Sequence, residues 1–553
     1  MSNCPAPDDV SEVFLVTAGD TVTDAWEKYE LQNRAPPNIY VNLGLLTLGT
    51  ALRNRLDTAG ETRLAIRYFD GTLFDEDMLI RHIAAHPSRV FMLAFSTYTS
   101  NYGATLRLAQ LAKAINPNIV TVFGNDHFSA LYENILRRNE ATVDYGFYGN
   151  DVTEGFADFA VDLWRDGYDA GGRRQLPDLR KYSGLVYRDG GRIAVNPEDP
   201  SEFYRLPLVD YSLANSWLDH HSRYHAEQRK LYAHRWDRDY RMTVVDIARD
   251  CIKFSGPRSE KGIPDGACNF CAIIPGTKAI AAHTHERAWE ILRNAWDQGS
   301  DYFWVTADEL PTTFWPLLRE MAEHRPAWYE AIPKEARPKL LCYARSDAFR
   351  KSHAHRIDAL VDRLNVDVFW IGLEAFSATS LHALNKGYRN RIENAEDVMV
   401  HNLVACEEIA RRGCQLGAGI IITHLGITPA IMDRNYDVLE QFIGRHSRVF
   451  SELLPDLLHP LPGSHAYEYL CTPGAAQSAA DTLGLKIDNR YLAGIHDKYI
   501  GSDCPDPAEI LQDFMRGCCP DISMDQAMHF IGKIQDLQAR YGIVSEIGSL
   551  HNQ

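Results

Sequence analysis

The chain has 553 residues, of which 45% are hydrophobic and 24% are charged, and this length suggests about three domains with sizeable cores. A formal net charge of −17, without any block rich in lysine and arginine, excludes the basic footprint by which proteins hold nucleic acid. No run of about 18 or more apolar residues occurs and no basic segment precedes an apolar run at the start, so we expect neither a membrane-spanning helix nor a signal peptide.

The segment 1–165 alternates between strand-like and helix-like patterns. VFLVTA (13–18) and RVFMLAFST (89–97) are apolar runs typical of buried strands, and ATLRLAQLAKAIN (104–116) has helical periodicity. This alternation predicts a doubly wound parallel sheet over 1–165, whose ligands would lie beyond the carboxyl ends of the strands. Those ends fall at 17–20, 96–99, 124–127 and 149–151.

The segment 166–240 loses the alternation and is rich in proline, glycine and charge, which predicts a linker. Within it, GLVYRDGGRIAV (184–195) predicts a β-hairpin with an Asp-Gly turn. From 241 to 463 the alternation resumes with about six strand–helix units, which predicts a partial or full (β/α) barrel. The last segment, 464–553, becomes helical towards its end and predicts a mainly helical C-terminal domain.

Polar residues gather at the ends of the predicted barrel strands. MTVVDIARDC (242–251), DYFWVTADE (301–309) and VDVFWIGLE (366–374) all finish on acidic or thiol side chains. Barrel enzymes carry their chemistry at this end of the strands, so the clustering marks a candidate functional face. The residues concerned are Asp250, Cys251, Asp308, Glu309, Arg345, Asp347 and Glu374.

Three of the 11 cysteines, Cys251, Cys268 and Cys271, follow the first predicted barrel strand. We expect a reducing cytoplasm, where cysteines bind metals or react more often than they form disulfides. A structural zinc site would need a fourth ligand, and the nearest histidines, His283 and His285, lie well beyond Cys271 in the chain. A redox dithiol, or three thiolates on a [4Fe–4S] cluster with one open iron, are the other interpretations, and the residues alone leave all three open.

The segment 241–463 resembles the radical S-adenosylmethionine (SAM) enzymes, in which a C-x3-C-x2-C loop after the first barrel strand holds the cluster. Asn269-Phe270 fills the C-x-aromatic-C part, and ARDC (248–251) resembles the strand end that carries the first cysteine. The resemblance implies Cys251, Cys268 and Cys271 as cluster ligands, with a long insertion between the first two. Closing the longer loop costs about 1–2 kcal/mol. The alternative is that Cys251 is a buried strand cysteine and the third ligand lies elsewhere.

Further segments of the barrel resemble the strands that contact SAM in this family. WVTADELPTTFW (304–315) resembles the acidic segment near the SAM amine, CYARSD (342–347) the R-x-D strand, and WIGLEAFSATSLHALNKGY (370–388) the strand near the ribose. GAGIIITHLGIT (417–428) resembles the later glycine strand. The SAM-binding residues implied are Phe270, Asp308, Glu309, Arg345 and Glu374. An ion pair within the protein is the alternative role for Arg345.

The first domain resembles the cobalamin-binding module found in front of many of these barrels. PPNIYVNLGLLTLGTALR (36–53), VTVFGNDHFSALYENIL (120–136) and VDYGFYGNDVTEGFADFAVDL (143–163) carry the resemblance. The D-x-H-x-x-G motif that supplies a cobalt ligand is absent, so we expect His127 to be a surface loop residue instead. The cobalamin-binding residues implied are Ser96, Thr97, Tyr98, Gly124, Asn125 and Gly149.

The resemblance therefore implies a [4Fe–4S] cluster, SAM and cobalamin as cofactors. It implies a 5′-deoxyadenosyl radical that acts on an unactivated carbon of a small molecule or peptide, followed by methyl transfer, in natural-product or cofactor biosynthesis. The implied electron donor is a flavodoxin or ferredoxin, with no nucleic acid or membrane as partner. The alternatives are a radical cyclase, rearrangement or oxidation without methyl transfer, and a non-catalytic regulatory module that binds cobalamin or zinc.

Overall fold

The computed structural model describes residues 10–20, 38–166, 178–234, 236–254, 266–272, 280–386 and 392–543, so the part of the predicted insertion at 255–265 lies outside the described ranges. Its strands are β1 (Ser11–Thr17), β2 (Leu64–Asp70), β3 (Val90–Ser96), β4 (Val120–Gly124), β5 (Tyr145–Phe147), β6 (Leu185–Asp189), β7 (Arg192–Val195), β8 (Met242–Val245), β9 (Ala248–Arg249), β10 (Ala281–Ala282), β11 (Tyr302–Val305), β12 (Lys339–Ala344), β13 (Val366–Glu374), β14 (Gln415–Ile421) and β15 (Phe450–Asp456). Its helices are α1 (Leu43–Thr58), α2 (Glu76–Ala85), α3 (Tyr102–Ile115), α4 (Asp126–Arg138), α5 (Thr153–Asp166), α6 (His220–Tyr232), α7 (His285–Asp297), α8 (Trp315–Glu323), α9 (Ala327–Glu330), α10 (Ala354–Leu364), α11 (Ala378–Ala383), α12 (Ile392–Arg411), α13 (Pro429–His446), α14 (His465–Cys471), α15 (Ala475–Leu483), α16 (Asn489–Tyr499), α17 (Pro507–Cys518) and α18 (Met524–Tyr541).

The first sheet has the strand order β2-β1-β3-β4-β5-β6-β7. Strands β1 to β5 run parallel, and β3 is buried along its whole length, as the apolar runs predicted. Helix α1 packs with α5, and α2 with α3. The doubly wound sheet is therefore confirmed, and the point where its strand order reverses lies between β1 and β3.

The interval predicted as a linker is attached to both neighbours. Its hairpin, β6–β7, continues the first sheet because β6 pairs antiparallel with β5. It also contains helix α6, whose few apolar positions gave no periodic signal. Gln228 of this helix donates to the carbonyl oxygens of Ile39 at 2.5 Å and Met242 at 2.8 Å, which ties the first domain to the first barrel strand.

The second large sheet has the order β15-β14-β13-β12-β11-β8, with every pair parallel. Strands follow one another in space as in sequence, so six strand units form a partial barrel, as predicted. The first strand is shorter than predicted and ends at Val245 rather than Cys251. Arg249 binds Asp246 at 2.7 Å and Asp151 at 3.1 Å, and β9 turns to pair with β10 instead.

Aromatic rings fill the inner face of the partial barrel. Tyr302, Trp304, Tyr343 and Trp370 belong to one buried cluster there, whereas their sequence neighbours pack against the outer helices. Tyr40 of the first domain also enters the cluster, with its ring centroid 4.9 Å from that of Trp304. The first domain therefore reaches the interior of the barrel.

The C-terminal region consists of helices α14 to α18, which confirms the predicted helical end of the chain. Helix α18 packs on β15 and α13 and closes one side of the barrel. No helix in the described ranges has the length and hydropathy needed to cross a membrane.

Gly417 on β14 is required by the packing inside the barrel. A Cβ at this position would overlap the indole ring of Trp370. We expect Gly417→Ala to lower the apparent melting temperature, because overpacking of this kind costs about 1–3 kcal/mol. Gly494→Ala is the control: nothing lies within 4 Å of its Cβ position in helix α16, so an unchanged or slightly raised melting temperature is expected there. Equal effects of the two substitutions would contradict this account of the interior.

Candidate active site

The carboxyl ends of the barrel strands open into a cavity of about 360 Å³. Its wall combines thiols, charged side chains and aromatic rings, and most of the predicted cluster and SAM residues meet there. The side chains that line it include Cys251, Lys253, Cys268, Phe270, Cys271, Asp308, Tyr343, Arg345, Trp370, Glu374, Lys386, Leu454, Asp456 and His459.

The three cysteines predicted as cluster ligands share this cavity, although a long stretch of chain separates Cys251 from Cys268. Burial raises the pKa of Cys251 to about 12. A hydrogen bond from Cys271 lowers the pKa of Cys268, and the ammonium groups of Lys253 and Lys386 act in the same direction. The thiolate form is therefore favoured at Cys268, whereas Cys251 and Cys271, whose pKa values are raised, would release a proton on binding a metal.

In the described ranges the three thiols do not form a compact site for a single metal ion. In a tetrahedral zinc site with bonds of about 2.3 Å, the sulfurs lie about 4 Å apart. Within the ranges that the structure describes, no three ligating atoms that include these sulfurs lie within 4.8 Å of one another. His283 stacks on Phe203 at 4.2 Å and His285 pairs with Glu286 at 3.3 Å, away from the cysteines. A [4Fe–4S] cluster gives each thiolate its own iron, so it does not require the three sulfurs to meet on one atom.

Hydrogen bonds around Asn269 hold the Cys268–Cys271 turn in place. The backbone N–H of Asn269 donates to the carbonyl of Leu384 at 3.0 Å, and its side-chain amide donates to the carbonyl of Ala383 at 2.6 Å. The N–H of Ala466, on α14, donates to the carbonyl of Asn269 at 2.8 Å. The turn is therefore clasped between the end of α11 and the start of α14.

A buried ion pair also lines the cavity. Lys386 donates from Nζ to Oε1 of Glu374 at 2.8 Å, and burial raises the pKa of Glu374 despite this partner. A Cβ on Gly372 would overlap the same oxygen, so glycine makes room for the pair. Glu374 has φ 60° and Asn385 φ 52°, in the left-handed region that non-glycine residues rarely adopt. Strained backbone of this kind is found at functional sites.

Four of the five residues implied for SAM binding line the cavity: Phe270, Asp308, Arg345 and Glu374. The ring of Phe270 lies 5.6 Å from the ammonium of Lys386. Arg345 lines the cavity while its Nε bonds Oδ1 of Asp347 at 3.1 Å, so it forms an ion pair within the chain as well.

Glu309, the fifth, does not line the cavity. Its carboxylate is fully buried and accepts hydrogen bonds from the backbone N–H groups of Thr312 at 2.8 Å and Thr313 at 2.6 Å. Burial raises its pKa, although these bonds oppose the shift. Because two N–H groups of its own loop lie close by, the side chain bonds them and does not reach the cavity that Asp308 lines.

Sequence reasoning missed several side chains of the cavity wall. Trp370 forms part of the wall and donates from its indole N–H to Glu452 at 2.8 Å. His459 pairs with Asp456 at 3.3 Å; burial alone would lower the pKa of His459, but this carboxylate raises it. Lys253 lines the cavity with the three cysteines predicted as cluster ligands. Trp370 begins the segment 370–388 that resembles a SAM-binding strand, so the sequence could have indicated it. The places of His459 and Lys253 depend on contacts that no local pattern encodes.

The carboxyl edge of the first sheet carries a polar network at the switch point. The side-chain amide of Asn42 donates to Ser96 at 3.0 Å and to Thr17 at 3.3 Å, and that of Asn125 donates to Ser96 at 2.9 Å. Tyr98 lies at the same edge, where burial raises its pKa to about 12. Three of the implied cobalamin-binding residues, Ser96, Tyr98 and Asn125, are therefore together.

The other three implied residues lie in the loops behind this network. The N–H of Thr97 donates to the carbonyl of Gly124 at 2.9 Å, which joins the loops after β3 and β4. Gly149 has φ 95°, and a Cβ there would overlap the carboxylate of Glu198. Glu198, from the segment that follows the hairpin, therefore covers Gly149.

His127 is buried, not exposed as predicted. Its Nδ1 contacts the hydroxyl of Thr99 at 3.0 Å, and its Nε2 donates to the carbonyl of Asp503 at 2.9 Å. Burial lowers its pKa to about 4, so the ring is neutral, and both nitrogens already have partners. The edge of the first sheet, with its small polar side chains, fits a cobalamin that His127 does not ligate.

Glu374 and Glu309 provide a matched pair for testing SAM binding. We expect Glu374→Gln to weaken SAM binding to the iron-loaded protein by about tenfold or more, because a hydrogen bond to a charged group is worth about 1.5–3 kcal/mol. Glu309→Gln, which changes an equally buried carboxylate that faces its own loop, should leave the affinity within about twofold. Equilibrium dialysis with labelled SAM measures both. The same loss in both variants would contradict the assignment.

Residues 35–156 match the family model of the B12-binding domain. Among solved structures, the chain is similar to the radical S-adenosylmethionine methyltransferase TsrM from Kitasatospora setae with cobalamin and a [4Fe–4S] cluster bound. The TM-score is 0.58 and the identity 14%, over 96% of this chain and 88% of that one. The TsrM structure with tryptophan substrate and a SAM analogue gives 0.56 and 14%, over 84% and 77%.

The cobalamin-dependent S-adenosylmethionine radical enzyme OxsB is similar to the same degree, with a TM-score of 0.56 and 14% identity over 98% of this chain and 82% of that one. No curated protein matches the sequence at a significant level. At these identities the likeness concerns the fold. The chain therefore carries a B12-binding domain and has the fold of the cobalamin-dependent radical SAM enzymes.

Proposed function

We propose that this chain is a cobalamin-dependent radical SAM enzyme that methylates an unactivated carbon of a small molecule or peptide, in natural-product or cofactor biosynthesis. One observation carries the proposal. Three cysteines, two of them buried, and the Glu374–Lys386 pair meet in one cavity of a chain whose first domain matches the B12-binding family. The TsrM structures are described with cobalamin, a [4Fe–4S] cluster and a SAM analogue, and we extend cobalamin, the cluster and SAM to this chain.

Tyr40 of the first domain packs among the rings inside the barrel, with its ring centroid 4.9 Å from that of Trp304. Burial raises the pKa of Tyr40, and the electrostatic interactions with Tyr98 and Glu452 act in the same direction. Tyr98 lies at the carboxyl edge of the first sheet, among the residues implied for cobalamin binding. Glu452 accepts a hydrogen bond from Trp370 in the cavity wall. We therefore propose that the substrate binds where the first domain meets the barrel, because methyl transfer requires it within reach of both cofactors.

When bound, the cluster, SAM and cobalamin would supply an adenosyl radical and a transferable methyl group. The chain's own residues bind and orient these groups. Cys251, Cys268 and Cys271 supply the thiolates, and the Glu374–Lys386 pair presents a carboxylate and an ammonium to SAM. The rings on the inner face of the barrel exclude water, which protects a reactive radical from side reactions.

The partners follow from the same chemistry. A flavodoxin or ferredoxin would deliver the electron that a cluster of this kind needs. A reducing compartment such as the cytoplasm suits cysteines that bind a metal cluster. A small molecule or peptide suits the size of the cavity, and the acidic chain disfavours nucleic acid.

The proposal is tested without knowing the substrate. Protein reconstituted anaerobically with iron, sulfide and cobalamin is reduced with titanium(III) citrate and given SAM labelled in its methyl group. We expect 5′-deoxyadenosine from reductive cleavage. We also expect S-adenosylhomocysteine with the label on cobalamin, because Co(I) attacks the methyl of the sulfonium and leaves the thioether.

The two products separate the alternatives. 5′-Deoxyadenosine alone would favour a cyclase, rearrangement or oxidation and contradict methyl transfer. The absence of both products from protein that holds all its cofactors would favour a non-catalytic binding module. Unreduced protein is the control, because neither product can form without the added electron.

A further inference from the structure

The loop between α16 and α17 is seated on the first domain through Asp503. This residue is buried, and its carboxylate accepts hydrogen bonds from the hydroxyl of Tyr102 at 2.9 Å and the amide of Asn139 at 2.8 Å. Arg138 pairs with the other carboxylate oxygen at 3.1 Å, and His127 donates to the backbone carbonyl at 2.9 Å. Four side chains of α3, α4 and the residue after α4 thus converge on one residue of the C-terminal region.

Neighbouring residues of the same loop strengthen the contact. The amide of Asn134 donates to the carbonyl of Ser502 at 2.7 Å. The ring of Tyr102 stacks on His127 with centroids 4.3 Å apart and planes inclined by 28°. Cys504 has φ 49°, and its Sγ lies 2.8 Å from the hydroxyl of Tyr467 on α14. The loop is therefore anchored on the first domain at one end and on α14 at the other.

Helix α14 also grips the turn that carries two of the cluster cysteines. The N–H of Ala466 donates to the carbonyl of Asn269 at 2.8 Å, and the amide of Asn269 donates to the hydroxyl of Tyr469 at 3.2 Å. Tyr467, which bonds Cys504, lies between these two residues in the helix. One short helix therefore contacts both the cysteine turn and the loop of Asp503.

At the other end, His127 reaches the loops implied for cobalamin binding. Its backbone N–H donates to the carbonyl of Thr97 at 3.2 Å, and its Nδ1 contacts Thr99 at 3.0 Å. Thr97 in turn bonds Gly124. A continuous series of hydrogen bonds thus runs from the cobalamin loops, through Asp503 and α14, to the cysteine turn.

We propose that the C-terminal region is a rigid bridge that fixes the position of cobalamin relative to the cluster and SAM, with Asp503 as its positioning residue at the first domain. The inference rests on the proposed function. Methyl transfer from SAM to cobalt depends on the relative placement of two groups held by different domains, and a displacement of about 1 Å can cost about 100-fold in rate. Reductive cleavage of SAM, by contrast, involves only groups held by the barrel.

This difference gives the test an internal control. In the fully loaded holoenzyme, Asp503→Ala should slow the formation of S-adenosylhomocysteine from SAM and Co(I)alamin by about tenfold or more, while 5′-deoxyadenosine forms at the wild-type rate. Pulsed electron paramagnetic resonance between Co(II)alamin and the reduced cluster should show a broader distance distribution. Asp497→Ala, at an exposed position of α16, is the matched control and should change neither readout.

Tyr102→Phe is a second variant that keeps the ring stacked on His127 and removes only the hydroxyl; a smaller loss with the same selectivity is expected. A purely structural role would lower the melting temperature and affect both products alike. Equal loss of both products, or a sharp distance distribution with unchanged rates in Asp503→Ala, would overturn the bridge. Wild-type protein that takes up only the cluster or only cobalamin would overturn the proposed function on which the inference rests.

Discussion

The hydrogen bonds that hold Asn269 are the constraint on which the candidate site depends. Two cysteines of a short turn have to stay beside a third, Cys251, that lies far earlier in the chain. Hydrogen bonds from both the backbone and the side chain of Asn269 fix the turn against the end of α11, and Ala466 fixes it from the C-terminal region. A long interval between Cys251 and Cys268 is tolerable because the turn is positioned by these contacts and not by the length of the loop.

The same constraint places three parts of the chain around one cavity. The barrel supplies the thiols and the Glu374–Lys386 pair, the first domain inserts Tyr40 among the inner rings, and the C-terminal helices contact both. Tyr40 and the inner rings therefore pack where the first domain meets the barrel. A reaction that moves a methyl group between domains needs such a fixed and dry arrangement, because both orientation and the exclusion of water determine its rate.

Much of this arrangement followed from the sequence, since alternation of apolar runs determines a parallel sheet and its strand ends determine where ligands lie. One limit of prediction from the sequence is competition for hydrogen bonds within a loop. Glu309 follows Asp308 directly, yet it bonds two backbone N–H groups of its own loop and does not line the cavity. Long-range contacts set the second. His127 was expected at the surface, but Asp503, from the distant C-terminal region, buries it, and no local pattern encodes such a partner.

The central claim is that Cys251 completes a cluster with Cys268 and Cys271, and iron and sulfide analysis of Cys251→Ala tests it most directly. After anaerobic reconstitution we expect this variant to lose the wild-type complement of iron and sulfide, together with reductive cleavage of SAM. Cys342→Ala, a change at a fully buried thiol within β12, should retain both. A Cys251→Ala protein that still assembles the full complement and cleaves SAM would contradict the account.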